Sequence, residues 1–507
     1  MRAIGVDGRK LTWRDVVRVA RDGARARFDT NARRRMKASR KSVEKHLASG
    51  EAIYGVNTGF GKFANTRIDA AQLRELQMNL LRSHAAGVGE PLPEEVVRAM
   101  LLLRANALAV GASGVRPEVA ELLLALLNAG VHPVVPQVGS LGASGDLAPL
   151  AHLALVLIGE GEANYKGKRM PGREALKRAR IKPLRLEAKE GLGLLNGTQA
   201  MAAVGCLLLE DAHDLCKLAD LAGALSIDAT LSSRTPCDPE IHRLRGQPGA
   251  EASARNVLKL LAGSRIVESH AHCARVQDPY SLRCLPQVHG ATRTALAHLE
   301  RAISIELNAA TDNPLVLRDG RIVSGGNFHG QPLALPLDYV ALALHELGSI
   351  SERRVDWIMN PNLTDLHAFL APREGLHSGY MIAQYTAAAL VNENATLIGP
   401  SSAHSIPVSG NQEDHVSMGM TSARRARAVL EHVRTVLAIE LLCAAQAVGL
   451  RKLKTGRGLL PVMKAIRVRV PPLDADRVVA PEIEAVRELA ASGELLRAAE
   501  RAVGELD

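Results

Sequence analysis

Apolar residues recur at spacings of three and four over long stretches of this chain, and that spacing predicts helices. Between about 422 and 447, Leu430, Val433, Leu437, Leu441 and Ala444 fall on one helical face. Similar stretches run from Gly197 to about Leu225, from Gly290 to Leu307 and from Leu337 to Ile358. A shorter helix, Pro117 to Asn128, has Pro at its start and Gly130 just past its end. Asp146 stands where it would cap a helix running to about Ile158, with Gly159 as the stop. Asn196 reads as the cap of the helix that follows it. Strand signal is sparse. Leu315-Val316-Leu317 and Arg321-Ile322-Val323 flank the turn Arg318-Asp319-Gly320, and Tyr165 to Met170 suggests a second small hairpin. Helices of this length predict a mainly α protein built on an elongated helical bundle.

Composition adds to this picture. The chain has 507 residues, enough for a large core and more than one structural unit. Aromatics are only 3%, and Ala and Leu dominate the apolar set, which favours close helix-on-helix packing. No run of 18 apolar residues suggests a membrane span. The start, Met1 to Gly8, lacks the apolar core of a signal peptide, so a cytoplasmic protein is expected. The six cysteines, Cys206, Cys216, Cys237, Cys273, Cys284 and Cys443, form no Cys-x-x-Cys pair and read as reduced thiols. Net charge is +10, with a basic run at Arg33-Arg34-Arg35-Met36-Lys37 and on to Arg40-Lys41. Nucleic-acid binding is one reading of that run. A solvated basic helix face is the preferred one, because acidic residues interrupt the basic ones over most of the chain.

Three short motifs invite chemistry. The loop Tyr54-Gly55-Val56-Asn57-Thr58-Gly59-Phe60-Gly61-Lys62 suggests a phosphate loop, but its glycine spacing is wrong and Phe63 stands where Ser or Thr would bind magnesium. His270-Ala271-His272-Cys273 suggests a metal, but residues two apart on a helix point away from each other. Ala143-Ser144-Gly145 is different. In a tight loop the Gly145 nitrogen can attack the Ala143 carbonyl, helped by the missing Cβ. Loss of two waters, one of them from Ser144, then gives a methylidene-imidazolone, a strong electrophile that requires no external cofactor. A second copy, Ala112-Ser113-Gly114, has the same tripeptide, so the tripeptide alone does not choose between them.

The wider run from Gly139 to Leu150, continuing Ala151-His152-Leu153, resembles the signature of the aromatic amino acid ammonia-lyases, and of their histidine-specific branch most closely. The resemblance implies a fold of the fumarase and aspartase type. An N-terminal unit, 1–195, would carry the Tyr loop and the prosthetic loop, and 196–507 would form the helical bundle. It implies a homotetramer with active sites shared between subunits, and partners limited to the small-molecule substrate, with neither nucleic acid nor membrane. The reaction would be loss of ammonia from L-histidine to give trans-urocanate, by attack of either the amine or the ring on the methylidene.

Residue by residue, the resemblance makes Tyr54 an acid/base group and Ala143, Ser144 and Gly145 the prosthetic ring. His84, in Ser83-His84, matches the substrate-selectivity position. Asn196 would bind substrate or ring. In Gln277-Asp278-Pro279-Tyr280-Ser281-Leu282-Arg283, Arg283 would hold the substrate carboxylate, Tyr280 would support the ring, and Gln277 would line the pocket. Phe328 would pack beside the ring. Glu413, in Glu413-Asp414-His415, is the strongest mark of the histidine branch and an alternative base to Tyr54. A phenylalanine or tyrosine lyase, or an aminomutase, is the nearest alternative. A basic nucleic-acid-binding protein is the distant one.

Overall fold

The computed structural model of the chain describes residues 3–49, 53–59, 66–271 and 275–507. Phe60 to Phe63 of the glycine-rich loop, and His272 and Cys273, lie outside those residues. Among the described residues, no cluster of His, Cys, Asp and Glu is placed to hold a metal. The described cysteines are free thiols.

The first nine helices are α1 (Trp13–Ala20), α2 (Thr30–Ser49), α3 (Leu73–His84), α4 (Glu94–Ala109), α5 (Pro117–Ala129), α6 (Leu147–Leu157), α7 (Gly172–Ala179), α8 (Glu190–Leu195) and α9 (Gln199–Ala229). Longer helices follow at Leu285–Glu306, Gln331–Met359 and Gly419–Arg451, close to the stretches that apolar spacing predicts. The last two are long and apolar enough to cross a membrane, but 67% and 83% of their most apolar windows are buried, which makes them core helices.

The strands are short. β1 (Ile4–Val6) pairs in parallel with β2 (Ala26–Phe28). β3 (Val88–Pro91) pairs antiparallel with β5 (Pro136–Val138). β4 (Val131–Pro133), β6 (Glu162–Tyr165) and β7 (Lys168–Pro171) form an antiparallel sheet in that order. β8 (Leu315–Val316) and β9 (Ile322–Val323) form the expected hairpin.

The chain divides into two compact units. Unit 1 comprises Met1–Glu210, Leu299–Asp338 and Pro400–Arg424, and unit 2 comprises Asp211–His298, Tyr339–Gly399 and Arg425–Asp507. These units do not divide at the single boundary expected after residue 195. Two later segments group with the N-terminal stretch instead, because long-range pairs tie them to it. Lys189 meets Asp312 in a buried ion pair at 2.9 Å, and the Ser417 hydroxyl donates to the Gly142 carbonyl at 3.0 Å.

Within unit 1, α3, α6 and α8 pack against one another. A buried cluster of Val43, Val56, Leu73, Ala188 and Val316 holds α2, the turn after residue 53, and β8 together. The basic run lies on α2, and two of its arginines depart from the expected solvated face. Arg35 donates to the carbonyls of Asp7, Ala109 and Val110. Arg40 is buried, donates to the Ala188 carbonyl at 2.8 Å and pairs with Glu187 at 3.0 Å. The cause is tertiary packing: the C-terminus of α4 leaves orphan carbonyls beside α2, and Arg35 satisfies two of them.

Unit 2 buries a charge pair. Arg354 and Glu440 are fully buried and meet through two bonds, of 2.5 and 2.8 Å. Ser226 and Ser351 each donate to the same carboxylate at 2.6 Å. Such a pair gives little net stability, but breaking one half leaves a buried charge alone. Glu440→Gln is therefore expected to destabilise the protein by about 3–5 kcal/mol, read as a lower denaturant midpoint at unchanged slope.

Candidate active site

The Ala-Ser-Gly loop is pinned on both sides. The Ser140 hydroxyl donates to the Asp146 carboxylate at 2.8 Å, and the Gly142 N–H donates to the Ser140 oxygen at 3.2 Å. The Leu141 carbonyl accepts from the Met418 N–H at 2.8 Å, and the Gly142 carbonyl accepts from the Gly330 N–H at 3.0 Å. Beyond the tripeptide, the Asp146 N–H donates to the Gly197 carbonyl at 2.7 Å. Gly145 sits at φ +78°, and a Cβ on it would lie 2.2 Å from the Gly197 oxygen. Only glycine fits that backbone and that contact.

Asp146 corrects the sequence reading. It occupies the N-cap position of α6, but its side chain makes no cap bond there. The carboxylate instead accepts from the N–H groups of Ala200 and Met201, at 2.8 and 2.9 Å, and so caps α9. Asn196 is displaced from the cap role expected for it. It ends α8, and its amide donates to the Asn313 carbonyl at 3.1 Å. The loop thus lies where the N-termini of α6 and α9 converge, and both ends carry partial positive charge.

Ser144 opens on a cavity of about 550 Å³ in unit 1 that Tyr54, His84, Asn196 and Glu413 also line, together with Leu76, Leu80, Leu147 and Leu192. Tyr54 is half-buried on a turn closed by the Ile53 N–H donating to the Asn57 side chain at 2.7 Å. His84 ends α3, and its Nδ1 lies 2.9 Å from the Leu80 carbonyl. A carbonyl only accepts, so Nδ1 carries the proton and Nε2 is left as an acceptor. Burial lowers the pKa of His84, which keeps the ring neutral. The Asn196 Oδ1 is buried with no partner among the described residues. Glu413 is set by a two-way backbone bridge with Val408 and lines the same cavity as Ser144. Burial pushes its carboxyl above the usual range, and the neighbouring Ser144 hydroxyl only partly opposes that.

The remaining expected residues fall elsewhere. Gln277 and Arg283 line a second cavity, of about 790 Å³, in unit 2. Tyr280 is on the same short helix as Arg283, and the guanidinium lies 4.7 Å from its ring centre. The Arg283 Nε is buried and has no partner among the described residues. Phe328, in unit 1, is half-buried in the turn from Gly326 to His329 and is not among the residues lining the Ser144 cavity. The second tripeptide, Ala112 to Gly114, lies against Val43 and Val316, and Ser113 is buried away from that cavity.

The residues around Ser144 fit a methylidene-imidazolone. Gly145 presents no Cβ, Ser144 faces the cavity, and two helix N-termini favour electron withdrawal at the loop. Ala143, Ser144 and Gly145 would form the group, with Asn196 and Glu413 beside it.

A mainly helical scaffold that turns such a loop toward a partly polar cavity has the parts an amino acid lyase needs. The family model described as aromatic amino acid lyase matches residues 11–468, and the chain belongs to that family. It is 55% identical over 505 residues to the histidine ammonia-lyase of Gloeobacter violaceus, covering 99% of this chain and 98% of that one. It is 54% identical over 499 residues to that of Myxococcus xanthus, covering 98% of each. Among solved structures it is similar to histidine ammonia-lyase from Trypanosoma cruzi, with TM-score 0.91, 42% identity, and coverage of 99% and 96%. It is also similar in fold to a tyrosine aminomutase from Streptomyces globisporus, with TM-score 0.94, 39% identity and full coverage of both chains.

Gly145→Ala is expected to force a left-handed alanine into the Gly197 backbone. The strain is of the order of 1–3 kcal/mol before the clash is counted. Mass spectrometry checks the outcome: the parent's 143–145 peptide should lack two waters, and the variant's should not.

Proposed function

We propose that this lyase eliminates ammonia from L-histidine to give trans-urocanate. The observation that carries the reading is one cavity holding Ser144, His84 and Glu413 together. The methylidene-imidazolone supplies the electrophile that makes nitrogen a leaving group. The neutral His84, with its free Nε2, accepts an imidazole N–H. Glu413, beside Ser144, takes the proton of the substrate ammonium, and its raised proton affinity suits that task. Tyr54 removes the β-proton. The Asn196 Oδ1 accepts a hydrogen bond from the amine.

The substrate carboxylate pairs with Arg283, whose guanidinium is suited to a two-point bond. Gln277 and Tyr280 accompany it. We propose that these three, with Phe328, come from neighbouring copies in a homotetramer, and that the protein works in the cytoplasm. The placement of Gln277 and Arg283 on a separate cavity supports the sharing. The likeness to a tyrosine aminomutase keeps a second reading open at the level of fold. The polar pair His84 and Glu413 favours histidine over an apolar ring.

A substrate panel tests this. Absorbance growth with histidine, and little with phenylalanine or tyrosine, is expected; a preference for either of the latter in kcat/KM would overturn the histidine assignment. Tyr54→Phe should lower kcat by roughly 10²–10⁴-fold, the usual effect of a positioned acid/base group. Glu413 must be ionised to accept a proton. Because its pKa is raised, activity should fall with acid at a pH above the ordinary carboxylate range. Glu413→Gln should remove that limb from the kcat profile.

A further inference from the structure

His152, on α6 two turns beyond the prosthetic loop, has no part in the chemistry above. Its Nε2 accepts a hydrogen bond from the Gly87 N–H at 3.0 Å. Its Nδ1 therefore carries the ring proton. Gly87 is three residues past His84, at the point where the chain leaves α3 and enters β3. The fit there is close from two sides. A Cβ on Gly87 would lie 3.2 Å from the His152 Nε2 and 3.2 Å from the Val138 carbonyl oxygen. A Cβ on Gly139, where the prosthetic loop begins, would lie 3.1 Å from the Gly87 Cα. The segment carrying the selectivity residue is thus clamped between the first residue of the prosthetic loop and the helix that follows it.

We propose that His152 is a positioning residue for substrate selection: its bond to Gly87 sets the spacing between the His84 imidazole and Ser144. A substrate is held by its ring at one end and reacts at its amine and β-carbon at the other. A shift of about 1 Å between those ends is enough to lower the rate by roughly 10²-fold. The shift should act on histidine, which His84 engages, and much less on a substrate that His84 does not engage. The proposal rests on the reading of His84 as the imidazole-binding group.

The test compares four variants of the full-length protein, with kcat and KM for histidine and phenylalanine. His152→Phe keeps a ring in place and removes the acceptor. His152→Gln keeps an acceptor at a similar reach. Gly87→Ala disturbs the same contact from the other side. His84→Ala tests the underlying reading. The expected result for His152→Phe and Gly87→Ala is a raised KM for histidine and a histidine-to-phenylalanine ratio of kcat/KM lower by roughly 10- to 100-fold. The two-water mass deficit should be kept, and His152→Gln should remain within a few-fold of the parent. Equal loss on both substrates, or the same values for His152→Phe and His152→Gln, would overturn the proposal. If His152→Phe fails to fold, Gly87→Ala decides alone. If His84→Ala leaves the ratio unchanged, the reading of His84 fails. If His84→Ala lowers the ratio and the clamp variants do not, only the positioning role fails.

Discussion

The buried carboxylate of Asp146 is the interaction on which the site depends. Burial raises its pKa to about 6, against the opposing bonds from Met201, Ser140 and Ala200. A carboxyl group is costly to bury unless those bonds are made. Here each bond also has a structural effect. The Ser140 hydroxyl ties the near side of the prosthetic loop to its far side. The carboxylate accepts from two N–H groups in the first turn of α9, donors that have no partner within the helix. One side chain therefore fixes the loop, orients α9, and brings a second positive helix end to the tripeptide.

A further set of buried polar groups fixes what surrounds the loop. Gln77 lies on α3, as His84 does, and its oxygen accepts from the N–H groups of Gly191 and Leu192 at 2.8 and 3.2 Å. Arg104 is fully buried on α4 and donates to the carbonyls of Gly193 and Asn196. One residue caps the start of α8 and the other its end. Asn196 is thereby held from the backbone while its side-chain oxygen stays available. His84 shares a rigid helix with the group that caps α8, so the two walls of the cavity keep a common frame.

Much of this was legible in the sequence, and the failures have a common cause. The long helices follow from apolar spacing, and the hairpins from their turn residues, because both signals are local. Asp146 and Asn196 each stand before a helix, and local rules assign each to the helix beside it. The structure gives Asp146 to a helix more than fifty residues away, a choice that tertiary packing makes and no window of sequence contains. Arg35 and Arg40 look like surface charge for the same reason, since the carbonyls they serve belong to distant segments. Arg104 and Gln77 did leave a trace. A lone Arg in Met100-Leu101-Leu102-Leu103-Arg104-Ala105 is a buried charge waiting for partners. The discontinuous make-up of unit 1 left none.

Fold similarity stops short of substrate choice. A histidine lyase and a tyrosine aminomutase both superpose on this chain closely, so the scaffold is shared by proteins of more than one substrate and outcome. The choice must then be made by the few polar groups on the cavity wall. His84 and Glu413 have different consequences there. A neutral imidazole facing a phenyl ring loses one hydrogen bond. A carboxylate facing it loses more, because the charged form has no solvent to replace the missing partner. Burial already raises the Glu413 pKa, the direction expected of a carboxyl partly withdrawn from water. With His84 and Glu413 in the roles proposed for them, histidine is favoured by the bonds it forms on that wall. An apolar ring offers neither group the substrate bond it would otherwise make, and that difference is of the kind that separates substrates by orders of magnitude.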